Sequence, residues 1–374
     1  MRTDTLLREL IALPSVNPAF LPARHPHGGE QRMGDFLAAT AAKAGLEVEF
    51  QTVFPGRSNL LARLSPMGKA KQRILLAPHL DTVNGTEDQF TPHTTNGKIF
   101  GRGACDTKGS VAAMMTALCE LAKDRQRPKE TEIVFAGLVD EENGQAGSRA
   151  LAASGLKAGL AIVGEPTGLR AVTAHKGSLW LQLETCGKSA HGARPELGRN
   201  AVHAMARIVH LLETEYAAQL RGRAHPLLGH PTVSVGVIAG GTQANIVPDH
   251  CTILVDRRTL PGETEAGVQR EIKSLLRKRH LVATLMNGKM ASCLPLETNH
   301  KLPLVAKFLR SLRQARPAGV HYFCDASVLA HGGIPSIVFG PGDIAQAHTA
   351  DEWISVRSLE AAGLKLLKFL KSFS

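Results

Sequence analysis

At 374 residues the chain exceeds one ordinary core, since domains usually run about 100–200 residues. A content of 43% hydrophobic and 21% charged residues excludes disorder, collagen-like repeats and a long coiled coil. Lys and Arg number 44 against 33 Asp and Glu, and the net charge of +11 admits nucleic acid, a membrane surface or a small anionic substrate.

In chain order, Met1–Ala12 carries Arg2, Asp4, Arg8 and Glu9, so no signal peptide is expected there. Strands are predicted at Leu46–Val53, Asn59–Leu64, Arg73–Ala77, Glu130–Val139 and Leu160–Val163, with helices at about Glu30–Ala44, Gly109–Lys123 and Gln145–Ala153. This alternation predicts an α/β domain with a central mixed, partly parallel sheet flanked by helices. The rhythm changes at Gly177. Strand Ser178–Cys186, helix Asn200–Glu215, strands Thr232–Ile238 and Cys251–Arg257, helix Glu263–Arg279 and strand Leu281–Asn287 follow in β-α-β-β-α-β order. That order predicts an α+β ferredoxin-like domain over residues 177–292. The α/β style then returns with helix Asn299–Gln314, strand Ser336–Phe339 and helix Val356–Phe373. A small domain is therefore expected to interrupt a larger one made of residues 1–176 and 293–374.

The longest apolar runs, Ile74–Pro78 and Ile133–Val139, are strand-sized, which argues against a membrane span. The basic excess is dispersed, since residues 177–292 hold 14 basic and 9 acidic residues. Its densest cluster, Arg270 to Arg279, reads as a solvated helix face, and aromatics at 4% leave few stacking platforms, so no nucleic-acid partner is expected. The six cysteines show no C-x-x-C spacing, which predicts free thiols in a reducing cytoplasm.

Five segments carry metal-friendly side chains at strand exits. His79-Leu80-Asp81 follows the strand ending at Ala77, and the two-residue spacing would let Asp81 orient His79; alone, His-x-Asp is common. Asp106 stands in a glycine-flanked turn before a helix, where it could merely cap that helix. Asp140-Glu141-Glu142 crowds three acids behind a buried strand, a repulsion that a dication would neutralise. Glu165 ends a further strand, and His348 lies in Gln346–Glu352. Open α/β sheets keep their sites at such strand ends. A His and carboxylate set without thiolate suits two zinc ions bridged by one Asp, and cobalt or manganese could substitute.

Through these motifs, and from Pro14-Ser15-Val16-Asn17-Pro18 to Ala347–Glu352, the sequence resembles the co-catalytic zinc amidohydrolases and exopeptidases that include acetylornithine deacetylase, succinyl-diaminopimelate desuccinylase, aminoacylase and glutamate carboxypeptidase. The resemblance implies that Asp106 bridges two metal ions, with His79 and Glu165 completing one position and Glu142 and His348 the other. Glu141 would be the general base toward the metal-bridging water, with Asp81 orienting His79. His191, in Gly187–Pro195, would reach another subunit's site and stabilise an oxyanion. Asn245 and Arg257 are candidates to hold a substrate carboxylate, with Gly342 of the Gly340-Pro341-Gly342 loop adding a backbone donor. For Asn245 a hairpin turn, and for Arg257 pairing with Asp256, are the competing readings.

The same resemblance implies a lid that dimerises. The Phe339–Glu352 segment looks closest to acetylornithine deacetylases, implying hydrolysis of N-acetylornithine or a similar N-acyl amino acid within arginine biosynthesis. A dipeptidase, glutamate carboxypeptidase or desuccinylase activity, and a catalytically silent binding or scaffold homologue, remain open alternatives. In an enzyme of this kind the positive charge would draw in small carboxylate substrates.

Overall fold

The structure is a computed structural model and describes residues 2–124, 127–288 and 292–374. The chain divides into two compact units: Met1–Thr173 with Thr298–Ala318 and Cys324–Ser374, and Ala174–Glu297 with Gly319–Phe323. The expected limits 177 and 292 fall inside the second unit, and the short return Gly319–Phe323 was not anticipated from the sequence. In the first unit, the N–H of Thr298 donates to the carbonyl of Thr173 at 2.8 Å, so the insertion leaves and re-enters at adjacent points.

The first unit is built on a mixed sheet. Strands Gln72–Pro78, Thr131–Gly137 and Leu160–Gly164 are near-continuous apolar runs because both faces are covered, and they pair in parallel. Ile74 lies opposite both Ile133 and Leu160. Ser336–Val338 extends the parallel set beside Leu160–Gly164. Arg57–Leu64 adds antiparallel to Thr131–Gly137, and the half-exposed strand Glu47–Phe54 closes that side, also antiparallel. Helix Lys108–Lys123 is apolar on almost every face and is buried along the residues from Lys108 to Met115. Helices Thr3–Ile11 and Val356–Lys371 pack against it, which seals one layer of the core. Because four strands run the same way, their carboxyl ends emerge along one edge, and that edge carries the acids and the histidine of the motifs.

The second unit is a four-stranded antiparallel sheet ordered Thr232–Gly240, His250–Thr259, Gly177–Cys186, Thr284–Asn287. Numbered along the chain, that is second, third, first, fourth, the split β-α-β-β-α-β arrangement. Helices Ala201–Leu211 and Glu265–Lys278 bury Met205, Ile208, Ile272 and Leu276 against Leu181, Leu183, Ile253 and Val255. Among the described residues no helix is long and apolar enough to cross a membrane, and the six cysteines are free.

Several boundaries moved for local reasons. The helix expected from Asn299 starts at Pro303, whose fixed φ and missing N–H suit a first helical position. The strand expected from Leu281 starts at Thr284, because His280 turns the chain at φ +52°. The hairpin His93–Thr95 with Lys98–Phe100, completed by Trp353–Ser355, had no alternating signature long enough to read.

Candidate metal centre

His79 follows strand Gln72–Pro78, Glu141 and Glu142 lie just beyond Thr131–Gly137, and Glu165 follows Leu160–Gly164. Asp106 and His348 come from loops joined by the small sheet. Strand Lys98–Phe100 runs into the turn that ends at Asp106, and its partner Trp353–Ser355 emerges from the His348 loop, with Trp353 opposite Phe100. Gly101 and Gly103 hold φ values of +148° and +81°, and a Cβ on Gly101 would stand 2.5 Å from Ile11 Cγ2. Only glycine serves there.

The side chains converge as two half-sites sharing one carboxylate. His79 Nε2 lies 3.1 Å from Asp106 Oδ1 and 3.7 Å from Glu165 Oε1. On the other side, His348 Nε2 lies 3.4 Å from Asp106 Oδ2 and 3.2 Å from Glu142 Oε2. Ligand atoms about 2.0–2.1 Å from a tetrahedral ion stand roughly 3.3 Å from one another, so these separations fit metal coordination. His79, Asp106 and Glu142 each offer a ligand atom within 4.8 Å of the others. Glu165 Oε1 is buried and has no hydrogen-bond donor among the described residues, the condition of an oxygen kept for a cation. The donor set therefore fits two divalent ions. The halves differ in access: the His79 side chain is 1% exposed and that of His348 52%, so one side is sealed and the other open.

The electrostatics express the same crowding. Burial, reinforced by Glu165, Asp325 and Glu142, pushes the Glu141 carboxyl well above its usual range although His79 opposes the shift. Burial likewise raises Glu142, with Asp106 adding to it, and raises Glu165 strongly. Hydrogen bonding to Asp106 and Glu142 lifts His348 to about 10, and His79 rises as well against the penalty of its burial, chiefly through Asp106. Protons and cations compete for these groups, and a pair of dications would relieve the repulsion without them.

Asp81 acts differently from the role expected of its carboxylate. His79 Nδ1 hydrogen-bonds the main-chain carbonyl of Asp81 at 3.0 Å, while the nearer carboxylate oxygen is 3.5 Å away. That carboxylate accepts the N–H of Glu141 at 3.0 Å, the N–H of Glu142 at 3.1 Å and the Asn17 amide at 2.8 Å. Asp81 thus orients the imidazole through its backbone and fixes the Glu141–Glu142 turn through its side chain. Asp140, with φ +70°, turns away from the centre; Arg57 donates to its carboxylate at 3.2 Å and Asn17 at 3.0 Å. Of the three consecutive acids, two therefore face the site. Sequence reasoning missed Arg57 and its buried partner Glu30, and also Asp325. Asp325 is buried, accepts a 2.5 Å hydrogen bond from Ser148, and is raised to about 7 chiefly by burial. Asp325 begins helix Asp325–His331, a span that gave no strand-end signal.

Gly342, at φ +89°, donates its N–H to Ser358 Oγ at 3.3 Å, and Gly340 donates to Thr167 Oγ1 at 3.1 Å. With Pro341 lacking an N–H, the expected backbone donors of this loop are already engaged. In the second unit, His191 is exposed and accepts the N–H of Ala193 on Nδ1 at 3.1 Å. It bridges to Ile246, and the Gly192 N–H donates to the exposed Asn245 carbonyl at 2.6 Å, so the structure brings His191 and Asn245 together.

Arg257 is a correction. It is fully buried, with Nη2 on Glu263 at 2.6 Å and Nε on the Tyr216 hydroxyl at 3.3 Å, and a guanidinium so engaged is not free for a substrate carboxylate. Asp256 pairs instead with Arg258. Arg257→Ala should destabilise the protein by about 3 kcal/mol, the lower end for breaking a buried pair, because Arg223 continues to hold Glu263. Urea unfolding would show this, and an unchanged midpoint with a raised KM would restore the substrate role.

The chain belongs to peptidase family M20/M25/M40, whose pattern residues 75–372 match. The acetylornithine deacetylase of Photorhabdus laumondii subsp. laumondii is 31% identical over 368 residues, covering 94% of this chain and 92% of that protein. Aminopeptidase PepT from Bacillus cereus shares the fold with a TM-score of 0.79 at 22% identity, over 100% of this chain and 98% of its own. A dinuclear metal binding peptidase from the M20 family of Bacillus subtilis superposes with a TM-score of 0.71 at 13% identity, over 99% and 97% respectively. The protein is accordingly a metal-dependent hydrolase of this family, with a mixed α/β fold and a candidate metal site.

Proposed function

We propose that the protein hydrolyses the amide bond of an N-acyl amino acid, N-acetylornithine first among candidates, using two divalent ions, zinc by preference. The observation that carries this is the sharing of Asp106 between the His79–Glu165 pair and the Glu142–His348 pair, with Glu141 beside them and outside both. The deacetylase relative at 31% identity directs the choice of substrate.

When bound, the ions would polarise the scissile carbonyl and make a water acidic enough to attack at neutral pH. Glu141 would take the proton of such a water. Standing beside both half-sites and joining neither, it is free to return that proton to the leaving amine. Asp81 keeps Glu141 and Glu142 in register through their N–H groups. His79, held by the Asp81 carbonyl, presents Nε2 to the centre. His191 of a partner subunit supplies a donor to the tetrahedral oxyanion in this reading, and Asn245 beside it contacts the substrate. A homodimer through the inserted unit is part of the proposal; the exposed Val237 and Ile238 on strand Thr232–Gly240 support it. The reading places the protein in the cytoplasm, in arginine biosynthesis.

A hydrolysis screen decides the substrate. With zinc or cobalt added, N-acetylornithine and related N-acetyl amino acids should turn over and a chelator should stop them. Inert N-acetylornithine alongside cleaved dipeptides, N-succinyl or N-formyl amino acids would replace this substrate by another.

A further inference from the structure

The His348 imidazole is half exposed, so packing on its ring does not aim it; the backbone that carries it must. His348 itself sits at φ +63°, a conformation that a non-glycine residue holds only when its surroundings impose it. The surroundings are specific. The Glu352 carboxylate, 1% exposed, accepts the N–H groups of Cys105 at 2.8 Å and Asp106 at 2.9 Å on one oxygen. Its other oxygen accepts the N–H of Gly103 at 2.9 Å and Nη1 of Arg102 at 2.8 Å. Its carbonyl accepts the N–H of Gly101 at 3.0 Å. One side chain at the end of the His348 loop thus gathers the whole turn that presents Asp106. A second tether holds the middle of the loop: Gln89 Nε2 donates to the carbonyls of Ala350 at 2.9 Å and Thr349 at 3.2 Å. Arg102 Nη2 donates to Gln89 Oε1 at 3.3 Å, joining the two tethers.

We propose that Glu352, braced by Arg102 and Gln89, is a positioning residue that registers the His348 loop onto the Asp106 turn and thereby sets the affinity of the Glu142–His348 metal position. A buried carboxylate holding three main-chain N–H groups and a guanidinium fixes relative placement in a way that a neutral isostere does not. His79 and Glu165 leave adjacent parallel strands of the sheet, so their position depends on this device only through the shared Asp106, whereas the other depends on it through both Asp106 and His348.

The inference rests on the two-ion reading, and the test separates the two. The full-length protein, stripped with chelator, is titrated with Co(II) by calorimetry and by visible absorption, alongside Glu352→Gln and Gln89→Ala. The parent should take up two equivalents. Glu352→Gln should bind the second about 10–100-fold more weakly and lose distinctly less at the first. Gln89→Ala, which removes the tether to Ala350 and Thr349 and one contact to Arg102 but keeps the Glu352 bonds to Gly103, Cys105 and Asp106, should move the second equivalent in the same direction by less, and it stands in if Glu352→Gln fails to fold. Thermal unfolding of the metal-free variants separates positioning from general damage. Two equivalents at parental affinity in both variants overturn the role of Glu352. Equal weakening of both equivalents overturns it too. A parent that binds fewer than two ions sinks the two-ion reading itself.

Discussion

Replacing Glu141 with alanine is expected to lower hydrolysis by about 10²–10⁴-fold, the range that a positioned acid–base group contributes, while two metal equivalents stay bound. The reasoning is geometric first. Glu141 and Glu142 share a turn whose N–H groups are pinned by Asp81, yet only Glu142 reaches His348, with oxygens 3.2 and 3.3 Å from Nε2. Glu141 is left in the field of His79, Glu165 and Asp325 without joining either half of the shared-carboxylate arrangement. A carboxylate that neither half claims is free to accept and return a proton. Glu141→Gln tests the same point without loss of volume: it should match the alanine variant in turnover. Metal content by atomic emission and turnover of the acyl substrate are the paired measurements. Unchanged turnover would remove Glu141 from the chemistry, and loss of an ion would make it a ligand instead.

What the sequence made legible, and what it hid, follows from the range of the interactions involved. Ile74–Pro78, Ile133–Val139 and Leu160–Val163 are apolar because parallel strands are covered on both faces, and the first polar residues after them stand at a sheet edge. That local contrast located His79, Glu141, Glu142 and Glu165. Arg257 misled because resemblance to a substrate-contact segment does not reveal that a buried partner such as Glu263 awaits the guanidinium. For Asp81 the two-residue spacing showed the partnership with His79 but not that the carbonyl, at 3.0 Å from Nδ1, stands nearer than the carboxylate at 3.5 Å. Asp140 was grouped with its neighbours because sequence adjacency does not reveal a left-handed residue that turns one acid toward Arg57.

The tethers around Asp106 are further from sequence view still. Glu352 lies 247 residues from Cys105, and the strands that join their loops are three residues each, too short for periodicity to register. Lys108, just before the helix expected from Gly109, is buried, with Nζ donating to the carbonyls of Leu10 at 2.8 Å and Leu13 at 2.9 Å. It ties the Asp106 turn to the segment that carries Asn17, and Asn17 in turn reaches Asp81. The opening motif Pro14–Pro18 is thereby a support for the metal centre, a role that its composition alone does not disclose.

Asp106→Ala should abolish binding at both metal positions, where His348→Ala should weaken one. The difference comes from the two carboxylate oxygens. Oδ1 lies 3.1 Å from His79 Nε2 and Oδ2 lies 3.4 Å from His348 Nε2, so one deletion removes a ligand from each half and the charge between them. Loss of the ions forfeits several kcal/mol of transition-state stabilisation, roughly 10³–10⁵-fold in rate, so Asp106→Ala should be at least as inactive as Glu141→Ala for a different reason. Thermal unfolding distinguishes them. Ions that bind only the folded state stabilise it by about 2.7 kcal/mol at 100-fold excess over the dissociation constant, so added zinc should raise the Tm of the parent and of Glu141→Ala. It should leave Asp106→Ala where it stands. A single retained equivalent at parental affinity would mean that the carboxylate serves one ion only, and the sharing of Asp106 from which the proposed reaction was built would have to be given up.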